Sequence, residues 1–80
     1  MQIDYGWWPR TSGGQGIRAR VTYDEAAGVL FAFHPDLGAE EVLAAAPDRT
    51  TIDVLMAGWW DHVDTDGLDW VRDRIEGVLR

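Results

Sequence analysis

Four of the five tryptophans in this chain stand in two adjacent pairs, Trp7-Trp8 and Trp59-Trp60, and those pairs limit how the chain can fold. Neighbouring residues on a strand point to opposite faces. A strand through Trp7-Trp8 therefore sends one ring into a core and the other toward solvent or a partner. Neighbours on a helix lie about 100° apart, so Trp59 and Trp60 on a helix share one apolar stripe. The first pair suggests an interaction surface, the second a core. A chain of 80 residues without cysteine needs such rings. It is read as one domain, 1–80, that buries about two-thirds of its unfolded surface and has no disulfide or thiolate–metal staple.

The first third carries a period of two. Ile3, Tyr5 and Trp7 alternate with Gln2, Asp4 and Gly6, which predicts a strand. Residues 9–16 hold Pro, Ser and three Gly and read as a loop. Ile17, Ala19, Val21 and Tyr23 alternate with Arg18, Arg20 and Thr22, a half-buried strand with a basic outer face. Asp24-Glu25-Ala26-Ala27-Gly28 is a turn. Residues 29–34 form a third strand, apolar on both faces, with Val29, Phe31 and Phe33 on one and Leu30 and Ala32 on the other. Pro35 ends it. Three strands with short connections predict an antiparallel meander.

The remainder reads as helical. Residues 37–46 are expected to form a short helix with Leu37, Val42, Leu43 and Ala46 toward the core, Asp36 as N-cap and Pro47 as its stop. Residues 51–57 are compatible with strand by β-branching. The longer window favours a helix over 51–62, because Ile52, Leu55, Met56, Trp59, Trp60 and Val63 recur at helical spacing behind Thr50 as N-cap. A last helix is expected over 67–79, with Leu68, Val71, Ile75, Val78 and Leu79 on one face and Trp70 nearly opposite.

Charge is uneven. Residues 1–35 hold three acids against three arginines, and residues 36–80 hold eleven acids against four, so the net −7 lies in the second half. Direct binding to nucleic acid or to an anionic membrane is not expected, because neutralising phosphates takes clustered cations. An acidic face suits a basic partner or a DNA-binding groove; the plainer reading is a solvated, solubilising face. No segment is long and apolar enough to span a bilayer, and no basic-then-apolar export segment opens the chain, so a cytoplasmic location is expected.

Catalytic and metal motifs are weak. His62-Val63-Asp64-Thr65-Asp66-Gly67 has acids and a glycine where a calcium loop has them, but it begins with His and has Asp73 where the bidentate Glu belongs; a helix-capping turn explains it better. His34 and His62 are too few for zinc without cysteine. Ser12 lies in a glycine-rich connector that lacks the lysine of a phosphate loop. No catalytic constellation, cofactor or metal is expected. The candidate partner contacts are Trp7, Trp8, Arg18 and Arg20, aromatic and arginine residues of the type enriched at interface hot spots.

The order of three strands then three helices, from about residue 21 to 80, resembles the PqqD-like precursor-peptide recognition elements of ribosomal peptide pathways. Asp24 to Gly28 stands where those proteins carry an acidic hairpin turn, and Phe33-His34-Pro35-Asp36-Leu37-Gly38 where they often have Leu-Asn-Pro-x-Gly. Thr50 to Leu55 is similar to their second-helix start, and the acidic turn before Leu68 to the entry of their third helix. His34 replaces the usual Asn, one residue is inserted before Gly38, and the Trp-rich start has no counterpart. The resemblance implies a non-catalytic module that takes a peptide as an added strand at the third strand's edge. It places Phe31, Phe33, Trp70 and Arg74 near that groove.

The sequence thus predicts an α+β domain, a three-stranded antiparallel meander followed by three short helices, winged-helix-like, that binds a peptide or protein partner. Two other roles fit the composition. One is a small acidic inhibitor, phage-type or DNA-mimicking, that blocks a nucleic-acid-binding complex. The other is a self-associating structural protein, a homodimer that buries its surplus tryptophan.

Overall fold

Asp4 accepts a hydrogen bond from the Gly6 amide at 2.9 Å, and Gly6 takes a positive φ of 82°. Between Asp4 and Trp7 the pairing register slips, so the first strand carries a bulge where glycine is needed. The slip decides the fate of the first tryptophan pair: Trp8 turns fully inward and Trp7 stays 42% exposed. In this computed structural model, which describes residues 2–14, 16–46 and 48–79, the chain is α+β. Strands β1 (Gln2–Pro9), β2 (Arg18–Asp24), β3 (Val29–His34) and β4 (Ala39–Ala45) form one antiparallel sheet in the order β1-β2-β3-β4. Helices α1 (Arg49–Leu55) and α2 (Gly67–Leu79) follow, with a 3-10 turn at Trp59–Asp61 between them.

The fourth strand corrects the expected helix over 37–46. Pro35 to Gly38 is turn chemistry, and it makes a hairpin: the Leu37 amide bonds the His34 carbonyl at 3.1 Å and Gly38 takes φ 61°. Asp36, expected as an N-cap, instead pairs with Arg10. The following residues then lie antiparallel on β3, with Glu40 opposite Phe33 and Val42 opposite Phe31. A strand in the interior of a sheet has its backbone hydrogen bonds satisfied by neighbours on both edges. β3 gains them here, whereas an isolated ten-residue helix gains little on its own. The expected stop at Pro47 lies outside the described residues.

The helix expected over 51–62 is shorter and begins earlier. Asp48 rather than Thr50 is the N-cap, its carboxylate accepting from the Thr51 amide at 2.7 Å. The segment 51–57 is helical through Leu55 and then unwinds. Met56 is the C-cap of the helix, and Gly58 at φ 78°, a left-handed conformation, starts the 3-10 turn. The second tryptophan pair is thereby split: Trp59 packs against the core and Trp60 is 65% exposed. The last helix matches its expected span. Among the described residues, three expected helices become two and a 3-10 turn, and three strands become four.

One layer of helices lies on one face of the sheet. The core joins inward residues of the sheet (Tyr5, Trp8, Ala19, Val21, Tyr23, Leu30, Ala32) to Ile52, Leu55, Met56, Leu68 and Val71. Two of its buried side-chain donors bond backbone carbonyls. The Trp8 indole donates to the Tyr5 carbonyl and the Tyr23 hydroxyl to the Ala46 carbonyl, both at 2.9 Å. At α2's start, Gly67 comes so close to the loop after β1 that an added Cβ would sit 2.7 Å from the Pro9 carbonyl oxygen.

Candidate interaction surface on the open sheet face

Because the helices cover one face only, the strand registers lay out the other face as rows that cross all four strands. The first row is Trp7, Arg20, Phe33 and Glu40, from β1 to β4. The second is Asp4, Thr22, Phe31 and Val42. Exposed apolar surface runs through both: besides Trp7, Phe33 is 38% and Val42 65% exposed, and Phe31 is half-buried. Between the rows lies a depression of about 520 Å³, lined by Gln2, Asp4, Arg20, Thr22, Phe31, Phe33 and Glu40.

The charges on this face are arranged unequally. Arg20 reaches diagonally to Asp4, donating through Nε at 3.2 Å and through its terminal nitrogen. Its hydrogen bond holds the Asp4 carboxyl below the ordinary aspartate value, outweighing partial burial, with the Gly6 amide helping. The Arg20 guanidinium also lies over the Trp7 ring, 5.9 Å from its centroid. Glu40 has no such partner among the described residues and is exposed.

Four of the eight residues singled out from the sequence therefore meet on this face: Trp7, Arg20, Phe31 and Phe33. The other four do not. Trp8 is fully buried and belongs to the core. Arg18 is drawn away, bonding the Trp7 carbonyl at 3.0 Å and Asp64 at 3.2 Å. Trp70 sits in the helical layer, neither opposite the core nor free. It stacks on Trp8 with centroids 5.7 Å apart and on His62 at 4.7 Å. Arg74 lies over Trp70 and donates to the Leu55 and Val54 carbonyls at 3.0 and 2.8 Å, closing the end of α1. The groove expected between a free third strand and the last helix is filled: β4 occupies β3's edge, and Arg72 of α2 grips Glu41 of β4 at 3.0 Å.

Sequence reasoning missed Glu40, Val42 and Asp4 as members of one surface, and it placed Trp60 in the core. The turn residues Pro35 to Gly38 were the signal for the missing strand. The segment 62–66 is a turn closed on itself, with the Asp66 amide on the His62 carbonyl at 2.9 Å and the Asp66 carboxylate on His62 Nδ1. Among the described residues no cluster of three or more His, Asp or Glu side chains is arranged to hold a metal ion, and no helix is long and apolar enough to cross a membrane. Comparison with models of known protein families, with curated proteins and with solved structures found no match to this chain.

Proposed function

We propose that the chain is a non-catalytic binding module whose contact surface for a peptide or protein partner is the open face of the sheet. One observation carries this reading. A sheet with helices on one side leaves Trp7, Phe31, Phe33 and Val42 together on the other, around a shallow depression rimmed by Asp4, Arg20 and Glu40. Contiguous apolar area ringed by polar groups is the usual mark of an association surface. An aromatic centre with an arginine beside it is the composition that dominates binding energy when buried.

Strand addition, the mode implied by the resemblance to precursor-peptide recognition elements, would then use the far edge of β4, since β3 is paired on both sides. A partner strand there extends the open face rather than lying beside α2. The acidic half of the chain favours a partner of opposite charge, and electrostatic attraction of this kind acts mainly on the rate of encounter.

The test is affinity capture of the tagged full chain from native host lysate, comparing wild type with Phe33→Ser/Val42→Ser and with Val54→Ser, which alters an exposed residue of α1. The open-face variant should lose the captured partner while its unfolding midpoint stays close to wild type, and Val54→Ser should keep it. Equal capture by all three proteins would remove the sheet face from the function. Recovery of the chain alone would replace a foreign partner with self-association.

A further inference from the structure

We infer that the open face receives a cationic side chain, an arginine or lysine of a basic protein segment, laid over the Phe33 ring and against the Glu40 carboxylate. The inference rests on the binding-face reading and adds the chemistry of the partner. Phe33 and Glu40 are cross-strand partners in the β3–β4 register. Side chains so placed stand about 5 Å apart at Cβ, within reach of one guanidinium or ammonium group.

The chain already uses this arrangement once on the same face. Arg20 lies over Trp7 while bonded to Asp4, an aromatic ring and a carboxylate holding one cation. Phe33 and Glu40 offer a ring and a carboxylate again, here as direct cross-strand neighbours rather than on one strand, and no described cation joins them. Nor does the chain have a described arginine to spare. Arg10, Arg18, Arg20, Arg49 and Arg72 are paired with acids, and Arg74 is held by the carbonyls that end α1. Arg20 does not repel an incoming cation strongly, because Asp4 neutralises it. The net charge of −7 draws a basic segment in, and Glu40 gives it a place to dock.

The probe is a blocked decapeptide of alternating arginine and valine, compared with the same peptide carrying citrulline, a neutral isostere, in place of arginine. Binding to the full chain is followed by amide shifts in NMR titration. Arginine peptide should move the amides of Trp7, Arg20, Phe33 and Glu40 and bind about five- to tenfold more tightly than citrulline peptide, the combined scale of an exposed cation–π contact and an exposed ion pair. Glu40→Gln should remove most of that preference. Asp73→Asn removes the same charge from α2 and should change binding less than about twofold.

Equal losses in Glu40→Gln and Asp73→Asn would reduce the effect to net charge and overturn the inference. Equal binding of the two peptides at the sheet face would overturn the cation while leaving the binding face standing. If neither peptide moves the sheet amides, both readings fall.

Discussion

Phe33 on β3 stands directly across from Glu40 on β4, an exposed ring beside an exposed carboxylate. Neither residue's own side chain dictates this position. It follows from the hairpin at Pro35 to Gly38, which folds a segment of helical appearance back along β3. The same turn sets Val42 opposite Phe31 and completes the open face.

The two residues of the first tryptophan pair should behave oppositely on substitution. Trp8 is fully buried and touches Trp59 and Trp70, so Trp8→Ala should cost about 3–5 kcal/mol. In a domain this small that loss approaches the whole stability. Trp7→Ala removes a ring from the open face and should cost about 1 kcal/mol or less. Urea denaturation of both variants checks the contrast; similar losses would mean that Trp7 is structural and not a contact residue.

That contrast also shows what the sequence revealed. Period-two alternation through Ile3, Tyr5 and Trp7 marked β1, but the bulge at Gly6 moved Trp8, not Trp7, into the core. β2 and β3 were legible because Val21 and Tyr23, and Leu30 and Ala32, face one core. β4 was not, because Val42, Leu43 and Ala46 fit a helical stripe as well as a strand and only pairing with β3 decides. Trp70 looked unpartnered along its own helix, yet Trp8 and His62 reach it from other elements. Half of the candidate contacts share the open face, since aromatics and arginine on a half-buried sheet are visible locally. Which face each joins depends on registers that are not.

Two glycines of α2 should give opposite signs. An alanine Cβ at Gly67 would lie 2.7 Å from the Pro9 carbonyl oxygen and 2.8 Å from Thr11 atoms, at a backbone φ of 69°. Gly67→Ala should therefore destabilise by about 2 kcal/mol or more, from combined strain and close approach. Gly77 has nothing within 4 Å of an added Cβ and lies within a helix, so Gly77→Ala should stabilise by up to about 1 kcal/mol. Differential scanning calorimetry of the two variants decides it. A midpoint for Gly67→Ala equal to wild type would mean that α2 does not start against the β1 loop as described.

The start of α1 rests on one side chain. Asp48 accepts from the Thr51 amide, and this bond holds its carboxyl below the ordinary aspartate value. Asp48→Ala should lower stability, and Asp48→Asn or Asp48→Ser much less, because either can still accept that hydrogen bond. Thr50→Ala should have little effect on the cap. A larger loss at Thr50 than at Asp48 in equilibrium unfolding would restore the later helix start expected from the sequence.

Acid should loosen the attachment of β4 to the helical layer. Burial raises the Glu41 carboxyl, but hydrogen bonds from Arg72 and from His34 outweigh it, and the net effect holds Glu41 below the ordinary glutamate value of 4.5. His34 Nε2 lies 3.0 Å from one carboxylate oxygen, and Arg72 reaches both. A carboxyl lowered in the folded state binds fewer protons there than in the unfolded chain. Its contribution is therefore complete above the unfolded value and is lost as pH falls through the folded one. Unfolding free energy should thus decline below about pH 4.5, with part of the decline belonging to Glu41. Glu41→Gln removes that part: the variant should be less stable than wild type at neutral pH, and the difference should shrink in acid. Because the pair is partly exposed, salt should narrow the neutral-pH difference as well. Denaturation series at pH 7 and pH 3 test the sign, and a gap between the two proteins that widens in acid would show that Glu41 is not held as an anion by Arg72 and His34.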